Sequence, residues 1–216
     1  MGYTHYFTCK KQPSQTQTTK IKQIVLSLLK TMPCFKKELL LMDNVLDDDE
    51  LITEVQPLNE NIFDLSDIII ADWSGEAVLE SPEDVFVVEE GIDCLLFNGL
   101  EDDAHETFFL PMGFANELLE KSQDVFFLPE ELVNKVIPDF VHEFNFCKTD
   151  NKPYDFIVCA VLLVVKIIAP ECYEIKSDGK DDDWLPSWNW VVSELKNMPD
   201  ASSLLEKEWK EIETWS

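Results

Sequence analysis

Residues 153–169 read PYDFIVCAVLLVVKIIA and make up the most apolar element of the sequence. It begins with a proline, and a second proline, Pro170, follows its last residue directly. Its valine and isoleucine content would suit a strand, but its length and its starting proline favour a helix. It is also shorter than the ~20 residues that a membrane span needs. We therefore predict a buried helix over residues 153–169.

Short apolar runs separated by turn residues surround this helix in the sequence. They lie at residues 68–70, 85–88, 94–97 and 107–110. Such runs are typical of antiparallel strands. Further strands are predicted at 2–8, 142–147 and 172–176, and helices at about 18–32 and 184–198. The pattern predicts a single α+β domain over 1–216, with a mostly antiparallel sheet packed against the 153–169 helix and peripheral helices.

The negative charge is concentrated in the middle of the chain. The formal net charge is −26, there is no arginine, and residues 44–147 hold 27 acids against two lysines. These acids begin in a predicted loop-rich acidic insertion at about 43–65. Three interpretations stay open: a solubilising surface, a mimic of the nucleic-acid backbone that occupies a basic host protein through residues 44–103, and adaptation to salt. Direct nucleic-acid binding is disfavoured, because the chain has no basic stripe.

The cysteines and the apolar runs indicate the cellular compartment of the protein. The six cysteines are scattered without a C-x-x-C pair, and a chain of this size needs no disulfide staple. The apolar run at residues 24–29 is shorter than the hydrophobic region of a signal peptide. These features predict a cytoplasmic protein with reduced thiols and no membrane association. An amphipathic helix is predicted at about 202–215.

Four short motifs resemble those of a family of phage and bacterial proteins. They are MGYTHY at 1–6, FNG with HETF at 97–108, FCKT with KPYD at 146–155, and SDG with a tryptophan at 177–184. The chain departs from the family pattern at Asp150 and Asn151, where small and basic residues are expected, and in its acidic stretch and its last helix. The resemblance implies a phage or prophage setting, hence a host cytoplasm, and it implies no activity.

The segment around the start of the 153–169 helix predicts a ligand site. Two lysines and a threonine lie where free backbone N–H groups and the helix dipole attract an anion. The residues expected to bind an anionic small molecule or a nucleotide are Lys148, Thr149, Lys152, Tyr154, Asp155 and Ser177. The alternative is that the lysines neutralise nearby aspartates.

His105, Glu106 and Asp178 are the candidate catalytic residues, expected to face this site. A histidine beside a glutamate can serve as general acid and base, which would suit a hydrolase or a transferase. Adjacent residues of a strand point to opposite faces, so both enter one pocket only from a loop. The alternative is a hydrogen-bonded surface histidine. The zinc-protease pattern H-E-x-x-H is absent, since position 109 is phenylalanine.

Other groupings are interpreted as structure. The aromatic residues near the two ends either line a pocket or belong to the core, and the core is favoured: Tyr3, His5, Tyr6, Trp184, Trp188 and Trp190. The acidic turn SDGKDDD at 177–183 lacks the spacing of a calcium loop and is interpreted as a turn into a helix, with Asp182 or Asp183 near the N-cap; weak binding of Ca²⁺ or Mg²⁺ is the alternative. The sequence identifies no cofactor and no metal ligands. It predicts a phage-type ligand-binding protein, with an acidic interaction protein and a His105/Glu106 enzyme as alternatives.

Overall fold

A computed structural model describes residues 3–35, 65–89, 92–114 and 142–198. The strands are β1 (Thr4–Cys9), β2 (Ile70–Ala71), β3 (Phe86–Glu89), β4 (Ile92–Gly99), β5 (Phe108–Phe114), β6 (Phe144–Lys148) and β7 (Tyr173–Ser177). The helices are α1 (Gln15–Thr31), α2 (Asp155–Ile168) and α3 (Asp181–Asn197). The predicted helix at 202–215 and, apart from Leu65, the predicted acidic insertion lie outside the described residues.

Helix α2 forms the centre of the core. Every residue from Phe156 to Val165 is at most 7% exposed. A helix that is apolar on all sides must be covered on all sides, and α1, α3 and β7 pack around it. The prediction of a buried helix over 153–169 is confirmed, with observed bounds of Asp155–Ile168.

The described strands form two antiparallel sheets. In the first sheet β1 lies between β6 and β7, so that His5 is paired with Cys147 on one side and with Ser177 on the other. In the second sheet β4 lies between β3 and β5, and its last two residues pair with β2. The predicted single α+β domain with mostly antiparallel strands is confirmed, and its strands divide between two sheets.

Helix α1 begins three residues earlier than predicted, because its start is capped. Ser14 Oγ accepts a hydrogen bond from the Gln17 N–H at 3.3 Å, and Gln17 Oε1 accepts one from the Ser14 N–H at 3.0 Å. This reciprocal pair is a capping box. The Gln17 side chain also donates to the carbonyl of Ile168 and to the carboxylate of Glu171, beyond the end of α2.

Helix α3 also begins before its predicted start. Asp182 or Asp183 was expected near the N-cap, and both lie in the first turn, directly after the N-cap residue Lys180 and Asp181. The Asp183 carboxylate accepts the backbone N–H of Lys180 at 2.7 Å, which satisfies one of the free donors at the helix start. Both aspartates therefore lie on a fixed helical turn rather than in a loop.

None of the helices within the described ranges has the length and the apolar character that crossing a membrane requires. Helix α2 is the most apolar of them, and at 1.5 Å per residue its 14 residues span roughly 21 Å. The hydrocarbon layer of a bilayer is about 30 Å thick. The apolar surface of α2 is instead covered by the rest of the fold.

Candidate functional site

Three of the four motifs meet at one buried histidine. His5 on β1 is fully buried, and its Nε2 lies 2.8 Å from Oδ1 of Asp155, the first residue of α2. Its ring lies between Tyr3 and Trp184, which it contacts edge-on at centroid distances of 5.1 and 5.0 Å. The residues of the MGYTHY, KPYD and SDG…W motifs are therefore neighbours in space, although His5 and Asp155 are 150 positions apart.

Asp155 joins His5 to two further polar side chains. The Thr149 hydroxyl donates to Asp155 Oδ1 at 2.5 Å. The Cys159 sulfur lies 3.7 Å from Asp155 Oδ2 and 3.7 Å from His5 Nε2. Asp155 and Cys159 are four residues apart on α2 and so share one helical face. We call His5, Asp155 and Cys159 the His5 cluster; their nitrogen, oxygen and sulfur atoms all lie within 4.8 Å of one another.

The His5 cluster does not have the arrangement of a cysteine nucleophile. In a catalytic triad the two ring nitrogens of the histidine serve different partners, whereas here the carboxylate and the thiol both approach Nε2. Burial raises the pKa of the Cys159 thiol well above its usual value, the Asp155 carboxylate raises it further, and the Tyr3 hydroxyl acts in the opposite direction. A reactive cysteine needs a lowered pKa. Nucleophilic catalysis by Cys159 is therefore disfavoured.

Two buried polar atoms beside the cluster have no hydrogen-bond partner of normal geometry among the residues that the structure describes. They are His5 Nδ1 and the Tyr3 hydroxyl. The Tyr3 ring lies over Gly179, where an added Cβ would be only 2.1 Å from the hydroxyl oxygen. Only glycine leaves room for this approach, which explains why the SDG motif lies beside Tyr3.

A pocket of about 170 Å³ lies beside the cluster, between the start of α2 and the first turns of α3. Asp155 belongs to its lining, and the Asp155 side chain is 15% exposed. The other charged lining residues are Lys152, Asp182 and Asp183. The lining therefore carries three carboxylates against one ammonium group. This sign is opposite to the positive hollow that the sequence predicts at this helix start.

The residues predicted to bind a ligand are only partly gathered at this pocket. Lys152 and Asp155 line it, and Lys152 Nζ donates to the Asp102 carbonyl at 2.6 Å. Thr149 lies buried behind Asp155. Tyr154 is fully buried, and its hydroxyl donates to the Glu106 carbonyl at 2.7 Å.

The remaining two predicted ligand-binding residues do not line the pocket. Ser177 Oγ accepts the Gly179 N–H at 2.9 Å. Lys148 is half-buried on β6, where its N–H donates to Glu106 Oε2 at 2.7 Å.

The candidate catalytic residues lie away from the pocket lining. His105 is exposed in the loop before β5, and both its backbone groups bind the Asn98 side chain, at 3.1 and 3.2 Å. The Glu106 carboxylate is occupied by the Lys148 N–H. Asp178 is exposed and accepts a hydrogen bond from the Tyr6 hydroxyl at 3.3 Å. The structure therefore does not bring these residues together with Asp155 in one pocket.

From the sequence, a structural role was favoured for His5, Asp182 and Asp183, and Cys159 was not identified as a site residue. His5 was interpreted as core, and it is indeed fully buried, but its imidazole nitrogen faces polar groups. One sequence pattern could have indicated the cluster. Asp155 and Cys159 are four residues apart on a largely apolar helix, which predicts a shared polar face. No comparable signal linked α3 to the start of α2.

Comparison with protein-family models, with curated protein sequences and with solved structures finds no match to this chain. The function is therefore argued from the geometry of the site. The pocket and the buried cluster behind it share one residue, Asp155.

Proposed function

We propose that this protein binds a small cationic ligand in the pocket at the start of α2. The observation that supports this function is the charge of the lining, where Asp155, Asp182 and Asp183 outnumber Lys152. The one ammonium group is hydrogen-bonded to the Asp102 carbonyl. Carboxylates that converge on a recess bounded by protein attract positive charge more strongly than they do in open water. The location agrees with the sequence prediction, but the sign of the ligand charge is reversed.

The size of the pocket limits the ligand. Pockets that hold drug-sized molecules usually measure about 300–1,000 Å³. The volume here is about 170 Å³. That volume suits a metal ion, a small amine or the ammonium end of a larger molecule, and it is small for the nucleotide that the sequence predicts. Phe156, Pro153 and Pro186 supply apolar walls for the carbon atoms of an amine.

An anion at the same place would face an unfavourable position. The first N–H groups of α2 are already hydrogen-bonded, since those of Asp155 and Phe156 donate to the carbonyls of Lys152 and Pro153 at 2.9 and 3.3 Å. The Asp155 carboxylate also stabilises the positive end of the helix. A phosphate would then lie beside like charges from both helices. Like charges placed close together are repelled most strongly where water is partly excluded.

Calorimetric titration of the full chain tests the proposal with a matched pair of variants. The probes are a small diamine, Mn²⁺, inorganic phosphate and adenosine monophosphate. Asp182→Asn with Asp183→Asn removes two charges from the pocket and keeps an oxygen that can accept the Lys180 N–H. Asp181→Asn is the control, because Asp181 is exposed in the same helical turn and does not line the pocket.

We expect the double variant to weaken binding of the diamine or of Mn²⁺ by about tenfold or more, and the control to retain it. Tighter binding of phosphate or of the nucleotide than of either cation would contradict the proposal and support the anionic ligand that the sequence predicts. An equal loss in the control variant would also contradict the proposal, because it would assign the effect to general surface charge.

A second candidate function, binding of a basic host protein, is favoured by an exposed tryptophan in the acidic region. Trp73 is 67% exposed, and Val78 and Val88 are exposed as well. Exposed acids occur along the same segment: Asp67, Glu76, Glu80, Glu83 and Asp84. Tryptophan is enriched at the centres of protein interfaces, and surrounding charges select and steer an oppositely charged partner.

The test of this second function is partner capture with three proteins: the wild type, Trp73→Ala, and Leu185→Ala as an exposed apolar control elsewhere on the surface. A basic protein that binds the wild type and the control but not Trp73→Ala supports it. Capture that is unchanged by Trp73→Ala contradicts an interface centred there.

A further inference from the structure

We infer that the His5 cluster is a binding site for one divalent transition-metal ion of the zinc class. The inference rests on the proposed function, since the ion would be the cationic ligand that the acidic pocket admits. It goes further, because it names His5 and Cys159, which lie behind the pocket, as ligands.

The three donor atoms already have almost the spacing of metal ligands. Zinc lies about 2.3 Å from a cysteine sulfur and about 2.0–2.1 Å from a histidine nitrogen, so tetrahedral angles separate the two donors by about 3.5 Å. The observed separations are 3.7 Å from Cys159 Sγ to His5 Nε2 and 3.7 Å to Asp155 Oδ2. His5 Nε2 lies 2.8 Å from the other oxygen of this carboxylate, Oδ1, so the carboxylate has to shift for one oxygen to join the sulfur and the nitrogen around an ion that replaces this hydrogen bond.

The elements that carry these donors hold them in place before an ion arrives. His5 lies on the central strand of its sheet, and Asp155 and Cys159 occupy successive turns of one buried helix. A site built on a strand and a helix is more rigid than one built on loops.

The donor types select the class of metal. Thiolate and imidazole ligands suit zinc and related transition metals, whereas magnesium and calcium take oxygen ligands. A zinc ion with one thiolate and one carboxylate ligand forms a neutral unit, so its burial has a low electrostatic cost. On binding, Cys159 releases its proton to solvent, and the imidazole proton moves from Nε2, where it is hydrogen-bonded to Asp155, to Nδ1.

The fourth coordination position would face oxygen donors and solvent. The Tyr3 ring packs edge-on against His5, and its hydroxyl is buried without a normal hydrogen bond to the residues that the structure describes. The hydroxyl can accept a hydrogen bond from a water bound by the metal or donate one to it. The partly exposed side of Asp155 connects the cluster to the pocket, which supplies an access route.

Cobalt(II) provides a spectroscopic test on the full-length, metal-free protein. A thiolate bound to cobalt gives a charge-transfer absorption band in the near ultraviolet, so the band reports on the sulfur ligand itself. We expect the band to saturate at one cobalt per chain and to disappear when zinc is added. Cys159→Ser should abolish it, and His5→Gln should weaken cobalt binding by about 100-fold or more, since even changes behind a metal ligand cost 10–100-fold.

Cys94→Ser is the matched control, because Cys94 is an equally buried free thiol on β4, outside the cluster. It should retain both the band and the affinity. If Cys159→Ser fails to fold, as judged by circular dichroism, X-ray absorption at the zinc edge of the wild type decides the question. One sulfur and a shell of nitrogen and oxygen neighbours support the site, whereas the absence of sulfur overturns it.

The outcomes separate this inference from the proposed function. Cation binding that depends on Asp182 and Asp183, without a thiolate band, upholds the pocket and overturns the metal site, leaving the His5 cluster as a structural polar network. A band that depends on Cys159, without an effect of the two pocket aspartates, upholds the metal site and overturns the argument from pocket charge. A band that survives Cys159→Ser places the metal elsewhere and overturns the inference.

Discussion

Two regions of the described structure that hold a histidine beside an acidic residue, the His5 cluster and the loop before β5, differ in almost every physical respect. In the His5 cluster the contacting residues come from distant parts of the chain, and His5 is fully buried where β1 meets α2. In the loop before β5 the partners His105 and Glu106 are adjacent in sequence, and His105 is exposed. Adjacency in the sequence therefore did not produce a pocket, whereas the crossing of two rigid elements did.

The environment explains why the two regions should respond differently to substitution. Hydrogen bonds among buried groups are stronger than those in water, and a buried group that loses its partner is costly. The His105 side chain keeps its contact with solvent, and the loop is held mainly through backbone groups bound to Asn98. We therefore expect the cluster to matter for stability far more than the loop.

The largest effect should come from Asp155→Ala. This change removes the acceptor for His5 Nε2 and for the Thr149 hydroxyl, both on fully buried side chains. Breaking a buried pair in this way typically costs about 3–5 kcal/mol of unfolding free energy, and urea unfolding followed by circular dichroism measures it. His105→Ala, the control in the exposed region, should change stability by less than about 0.5 kcal/mol. Similar values for the two variants would remove the contrast between the regions.

Gly179→Ala should have the next largest effect, because it tests how tightly the motifs meet around Tyr3. The new methyl group would lie 2.1 Å from the Tyr3 hydroxyl oxygen and 2.7 Å from Tyr3 Cζ. Overpacking of this kind costs about 1–3 kcal/mol. The double variant Tyr3→Phe with Gly179→Ala should recover part of the loss, since the closest atom is gone. Thermal unfolding of the single and double variants forms the test, and strictly additive losses would contradict the contact.

Asn98→Ala should cost about 1–2 kcal/mol, less than the loss of Asp155, because it removes hydrogen bonds to one loop only. The Asn98 side chain binds the N–H and the carbonyl of His105 and the N–H of Gly99. Hydrogen exchange at the His105 amide should accelerate in this variant, while the amides of β1 should keep their protection. Accelerated exchange in β1 would mean that the two regions are coupled.

The smallest expected effect is a pH dependence carried by Cys147, which lies between the two regions. Burial raises the pKa of this thiol to about 12 from its usual 9.0. Above pH 9 the unfolded chain ionises there and the folded chain does not, so the unfolded state is favoured and stability falls as pH rises towards 12. At pH 10 one such thiol accounts for about 1 kcal/mol.

The measurement compares urea unfolding of wild type and Cys147→Ala between pH 8 and about 10.5, where the variant should show a shallower decline. Ser187→Ala removes a buried hydroxyl that does not titrate, so it should lower stability equally at every pH. An unchanged slope in Cys147→Ala would contradict the predicted contribution of the thiol.

The parts of the fold that the sequence predicts are those fixed by local pattern. The apolar composition and flanking prolines of residues 153–169 predict α2, because burial on all sides leaves no room for polar residues. The start of α1 was predicted three residues too late, although Ser14 and Gln17 have the spacing of a capping box. The division of the strands into two sheets was not predicted, because strand pairing depends on contacts between distant residues.

The candidate site was predictable to the same limited degree. Lys152 and Asp155 were identified from their place at a helix start, and both line the pocket. The negative charge of the pocket was not predicted. Two of its carboxylates come from α3, which follows α2 in the chain only after β7. His105 was identified as a candidate catalytic residue from the glutamate beside it, whereas Cys159 lies within an apolar run that gave no such indication. The contact of β1 with α2 is what brings His5 to Asp155.

The Gln17 side chain ties the beginning of one helix to the ending of another. Its amide oxygen completes the cap of α1, while its amide nitrogen donates to the last carbonyl of α2 and to Glu171. The cap of α1 is made within its own segment, whereas the carbonyl of Ile168 gains this side-chain partner only when α1 is in place, so the end of α2 should be completed as α1 docks. A substitution at this single position would loosen two secondary-structure elements at once, and each would fray at the end that faces the other.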